Sequence, residues 1–222
     1  MKKSIVDLVF ILDASGSMSS LTASTIKGFN DMLNTQKEAL MNDDVLVTTV
    51  TFNTSVKYLS FCERIENIEP LTCKTYYANG CTALNDAVGS TINRVSENQT
   101  QSKKKSAKRK TIVVITTDGY ENASKEYTRA HICDLIKNKK ELGWEFIFMG
   151  AGIDAETEGA ALSIDRENCF ATEHSDDGIL RQMSYACCRI MDLRDNSIQD
   201  LPKEDENEEN FSLRDFLKED KT

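Results

Sequence analysis

Residues 5–20 read Ile5-Val6-Asp7-Leu8-Val9-Phe10-Ile11-Leu12-Asp13-Ala14-Ser15-Gly16-Ser17-Met18-Ser19-Ser20. All five side chains of residues 8–12 are apolar, as in a central parallel strand covered by helices on both faces rather than a half-exposed strand that alternates. Asp13, Ser15 and Ser17 then follow at alternate positions, with Gly16 allowing a tight turn between the serines. One carboxylate and two hydroxyls at the carboxyl end of a strand, where open α/β sheets place their ligands, make an all-oxygen donor set suited to Mg²⁺ or Mn²⁺ with several waters retained. The plainer alternative is an Asp-Ser-Gly turn or a helix cap.

A second strand, residues 111–115, ends in Thr116-Thr117-Asp118-Gly119. By the same logic it belongs at the sheet centre beside the first, which brings Asp118 next to Asp13. Two carboxylates that close repel each other unless a cation lies between them. Acid/base chemistry is the alternative use of such a pair, and the sequence places no nucleophile beside it.

Between these strands, apolar spacing predicts an amphipathic helix over residues 22–41, and β-rich runs over 45–52 and 56–61 predict a hairpin turning at Asn53-Thr54-Ser55. Residues 62–79 read as a loop and 83–97 as a helix. Six basic residues crowd positions 103–110 without interleaved aromatics, as in a solvated connector. Glu121 and Asn122 fall where a loop rims the site. Ser124 reads as the cap of a helix over 125–142 that Gly143 stops, followed by a strand over 144–149 and a turn into a short helix at 150–154. A last short strand is expected over 167–171, then a helix opening at Asp176 or Asp177 with Ile179, Met183, Cys187, Ile190 and Arg194 inward. His174 stands near the sheet's ligand end and His131 on a helix; both read as ordinary surface or structural histidines.

The order Asp13-x-Ser15-x-Ser17, then Gly80-Cys81-Thr82-Ala83-Leu84 before a helix, then Thr117-Asp118-Gly119 after a later strand resembles the metal-ion-dependent adhesion site of von Willebrand factor A domains. The resemblance spans residues 4–195 and points to an intracellular, bacterial-type member. It implies an α/β fold: a doubly wound, mostly parallel sheet with one antiparallel edge strand and helices on both faces. It also implies Asp13, Ser15, Ser17, Thr82 and Asp118 as ligands of Mg²⁺ or Mn²⁺, and a protein partner whose Asp or Glu fills an open coordination position. Read locally, Thr82 could instead be an N-cap, although Asn85, three residues on, is not the Glu or Gln of a capping box. The resulting expectation is a binding module and not an enzyme. The competing readings are a metal-assisted hydrolase or phosphoryl-transfer enzyme on the same sheet, and a scaffold with a vestigial metal site.

Composition narrows the setting. At 222 residues the chain accommodates one A domain, residues 1–195, and an acidic tail, 196–222, expected to be flexible with a short amphipathic end at Phe211-Ser212-Leu213-Arg214-Asp215-Phe216-Leu217. A net charge of −9 disfavours nonspecific nucleic-acid binding. No apolar run is long enough to span a membrane. Seven cysteines without a C-x-x-C pair read as reduced thiols of a cytoplasmic protein.

Overall fold

The computed structural model describes residues 4–39, 43–102 and 108–195. β1, Ser4–Asp13, is buried along almost its whole length because both of its faces are covered. Val6, Leu8, Phe10 and Leu12 point into one core, and Val9 and Ile11 into the other. Complete burial of each such side chain contributes about 1.5–3 kcal/mol. β1 pairs in parallel with β2, Asp43–Phe52, on one side and with β4, Arg109–Thr117, on the other. β3, Val56–Arg64, closes one edge antiparallel to β2; β5, Trp144–Ala151, and β6, Cys169–Thr172, continue the parallel sheet beyond β4. The strand order is β3-β2-β1-β4-β5-β6.

Helices cover both faces. α1, Thr22–Glu38, and α5, Asp176–Asp195, pack on the Phe10 side, where Phe10 and Phe29 meet edge to face at 5.3 Å. α2, Leu84–Gln101, and α3, Arg129–Glu141, cover the Val9 side, and α4, Ala155–Ala161, buries Ala155 there. This is the doubly wound sheet with one antiparallel edge that the sequence predicts. Because β1 and β4 run parallel with Leu12 opposite Thr116, Asp13 and Asp118 leave adjacent strand ends at the crest of the sheet.

Some boundaries differ, each for a physical reason. The helix expected over 22–41 is preceded by a 3-10 turn, Gly16–Leu21, and ends at Glu38; residues 40 and 41 lie outside the described residues. Ser124 does not cap α3. Its hydroxyl accepts from Asp86 N–H while Asp86 accepts from the N–H groups of Lys125, Glu126 and Tyr127, so the segment stays non-helical and Thr128 becomes the cap, accepting from His131 N–H. A 3-10 turn, Arg166–Asn168, delays the last strand to Cys169.

The basic run is only partly described. Its end is no solvated connector, since Arg109 begins β4 and forms a two-point ion pair with buried Asp7. Lys103 to Ala107 and the tail 196–222 lie outside the described residues. No described helix is long and apolar enough to cross a membrane.

Candidate metal centre

Three loops converge above the ends of β1 and β4. The first carries Asp13, Ser15 and Ser17. Ser15 N–H donates to Asp13 Oδ1 at 2.7 Å, which turns the chain back over the carboxylate. The Ser15 and Ser17 hydroxyl oxygens lie 3.2 Å apart, and Ser17 donates to Asp118 Oδ1 at 2.6 Å. These contacts string four of the five predicted residues into one polar row. Although Ser15 occupies the N-cap position of the 3-10 turn, its side chain makes no cap bond, so its hydroxyl belongs to the row and not to the helix end.

Thr82 comes from the second loop, which is laid across the first by backbone bonds. Gly16 N–H donates to Gly80 O at 3.0 Å and Asn79 N–H to Ala14 O at 2.8 Å. Gly80 adopts φ +75°, and a Cβ there would lie 2.7 Å from Thr54 Oγ1, so only glycine fits this crossing. A Cβ on Gly119 would lie 3.4 Å from Thr82 Oγ1 and 3.9 Å from Ser17 Oγ, which places both hydroxyls against the Asp118-Gly119 turn. All five predicted residues are thus brought together.

Thr82 does not cap α2. The N-cap position is Ala83 and carries no side-chain bond; Thr82 is 4% exposed, and its hydroxyl has no partner among the described residues. The cap is supplied from elsewhere. Asn85 N–H donates to Glu121 Oε2 at 2.8 Å and Asp86 N–H to Ser124 Oγ at 3.0 Å, the two donors an N-cap side chain normally serves. Asn122 Oδ1 accepts from Thr82 N–H at 2.8 Å. Glu121 and Asn122 therefore hold the start of α2 in place instead of merely rimming the site. Burial pushes the Glu121 carboxyl up, but N–H groups of Asn85, Ser124 and Ala123 and the Ser124 hydroxyl together keep it below its ordinary value.

Asp13 has no exposure at all. Burial raises its carboxyl from 3.8 to about 6, against the opposing hydrogen bonds from Thr117 and Ser15, and nearby Asp118 adds to the rise. A buried carboxylate beside a second acid is short of positive charge. The donor chemistry fits a hard divalent ion: two carboxylates and three neutral oxygens. Among the described residues there is no cluster of three or more His, Cys, Asp or Glu, the composition a thiolate or imidazole site would need.

Sequence reasoning missed three supports. Thr117 donates to Asp13 Oδ2 at 2.6 Å, the fully buried Tyr76 donates to Asp13 O at 2.5 Å, and His174 Nε2 lies 2.9 Å from Asp118 Oδ2. His174 thus has a partner in the site and is no ordinary surface histidine. Thr117 carried a signal by adjoining Asp118; Tyr76 sits in an aperiodic loop that gave none.

In the order β3-β2-β1-β4-β5-β6 the direction of winding changes between β1 and β4, the crest at which open α/β sheets place their ligands, and the cluster lies there. The von Willebrand factor type A domain family matches residues 7–185, and the chain belongs to it. No curated protein matches. Among solved structures, the pilus adhesin SpaC from Lactobacillus rhamnosus GG is similar with TM-score 0.62 and 14% identity over 86% of this chain and 31% of its own. Proximal thread matrix protein 1 from the mussel byssus, with a zinc-occupied MIDAS motif, gives TM-score 0.58 and 17% identity over 85% of this chain and 46% of its own. The vWF domain of the type V pili tip protein Mfa5 from Porphyromonas gingivalis gives 0.59 and 9% over 93% and 99%. The chain spans less than half of the first two, and at these identities the likeness is one of fold.

Proposed function

We propose that this chain is a metal-dependent protein-binding module in which Asp13, Ser15, Ser17, Thr82 and Asp118 hold Mg²⁺ or Mn²⁺. The observation that carries this reading is the relocated cap of α2: Glu121 and Ser124 serve the helix end, and the Thr82 hydroxyl is left without a partner among the described residues, against the Asp118-Gly119 turn. A divalent ion held there supplies a positive centre that a partner's Asp or Glu carboxylate completes. Ser15, Ser17 and Thr82 contribute neutral oxygens, so they add no negative charge to repel that carboxylate. Thr117 and Ser15 N–H fix the Asp13 carboxylate in place.

The surroundings favour an acidic protein partner. Tyr77 and Tyr120 are 70% and 55% exposed on the loops beside Asn79 and Gly119, and tyrosine is a residue that interface centres favour. A hollow of about 120 Å³ beside Ala14 is lined by Asn53, Lys57, Lys74 and Tyr77, a local positive patch on an acidic chain. We place the protein in the cytoplasm, a reading supported by its seven free cysteines, and infer that it works by binding without turnover.

The test is capture from a lysate of the source cell by the purified chain, with Mg²⁺ or EDTA, beside Asp13→Ala. A partner retained by wild type with Mg²⁺ and lost with EDTA or Asp13→Ala is the expected result. Capture indifferent to both metal and mutation overturns the proposal.

A further inference from the structure

The two oxygens of Asp118 face different groups. Oδ1 receives the Ser17 hydroxyl at 2.6 Å, on the side of the proposed ion, and Oδ2 lies 2.9 Å from His174 Nε2. The Asp118 side chain has no exposure while that of His174 keeps 40%, so the imidazole stands between the carboxylate and solvent. Where the carboxylate is ionised its oxygens only accept hydrogen bonds, so in that state Nε2 is the donor. The loop that bears His174 is held firmly. Gly152, at φ +72°, lies so close that a Cβ there would be 2.9 Å from His174 Cβ, and Gly152 N–H donates to Thr172 O at 2.7 Å.

We propose that His174 is a positioning residue of the metal site: it holds the outer oxygen of Asp118 so that the inner oxygen stays turned toward Ser17. The terminal torsion of an aspartate is soft, and a carboxylate held at both oxygens is pre-oriented before the ion arrives. Removing outer partners of this kind typically costs 10–100-fold in metal affinity. The inference rests on the metal-binding reading above and deepens it.

The experiment uses the full chain and the ions alone. Mg²⁺ and Mn²⁺ affinities are measured by calorimetry, and bound Mn²⁺ is examined by electron spin echo, for wild type, His174→Ala and His174→Gln. The expected result is that His174→Ala weakens both ions alike by about 10–100-fold, whereas His174→Gln, whose amide Nε2 replaces the donor, escapes that loss. No nitrogen is bound directly to Mn²⁺ in wild type, and the melting temperatures in EDTA coincide. Wild-type affinity in the alanine variant, equal impairment of the glutamine variant, or a loss confined to Mn²⁺ with a directly bound nitrogen overturns the positioning role. Wild type that binds neither ion overturns the metal reading itself, a distinct outcome.

Discussion

Asp13→Asn isolates the electrostatic cost of the site from its packing. The side chains are nearly the same size, and the hydrogen bonds survive exchange. Ser15 N–H still donates to Oδ1, and the new Nδ2 donates to Thr117 Oγ1, which turns its own hydrogen onto Gly119 O, already 3.0 Å away. What changes is the charge. With the Asp13 carboxyl raised from 3.8 to about 6, ionisation in the metal-free fold costs about 3 kcal/mol at 1.36 kcal/mol per pKa unit. Because the folded pKa is the higher one, the proton stabilises the fold fully below pH 3.8, and that stabilisation is lost as pH rises through 6.

Metal-free wild type is therefore expected to trail Asp13→Asn by up to about 3 kcal/mol at pH 8, or roughly 6–12 °C in melting temperature. The two should converge toward pH 4. Denaturation in EDTA at pH 8, 6 and 4.5 reads this difference directly. Adding excess Mg²⁺ should reverse the order, since only wild type gains stability from binding the ion. An asparagine variant less stable than wild type at pH 8 in EDTA, or a gap that does not change with pH, refutes the reasoning.

Three further perturbations have signs fixed by the structure. Arg194→Ala strips the guanidinium from Asp43, whose side chain is 3% exposed and gripped at both oxygens at 3.0 Å; denaturation should show a loss of about 3–5 kcal/mol from a broken buried pair. Gly89→Ala would ordinarily stabilise a helix by about 1 kcal/mol. Here the added methyl would fall 2.4 Å from the Tyr127 ring, so chemical denaturation should show destabilisation of about 1–3 kcal/mol from overpacking. Tyr76→Phe removes the bond to Asp13 O and the hydroxyl's contact with Thr25, and melts should register a loss of about 1 kcal/mol or somewhat more.

What was legible in the sequence was whatever depends on near neighbours or on simple periodicity. The apolar runs of β1 and β4 give a parallel pair buried on both faces, and that pairing alone brings Asp13 to Asp118. The helix stripes and the Asn53 hairpin follow from spacing in the same way. Illegible were the partners supplied by distant segments. Asp86 recruits the N–H groups of residues 125–127 across some forty positions and so delays α3. Arg109 looked like one member of a solvated basic run until β4 set it beside Asp7. His174 meets Asp118 only because β6 and the Gly152 turn carry its loop to the crest.

The same distinction explains how the site coexists with a stable fold. Serine and threonine ahead of a helix are, by local preference, caps worth about 1 kcal/mol each, and in a chain selected for stability alone Ser15 and Thr82 would serve as such. Neither does so here. At α2 the unserved donors are met by Glu121 and Ser124, from the loop that follows β4. That loop also carries Asp118 and Gly119. One segment therefore frees the Thr82 hydroxyl and places an aspartate beside it, so a fault in its seating should impair helix stability and ion affinity together. Local preference gives way where the residues converge on the proposed ion, as expected when a departure from it is maintained by function.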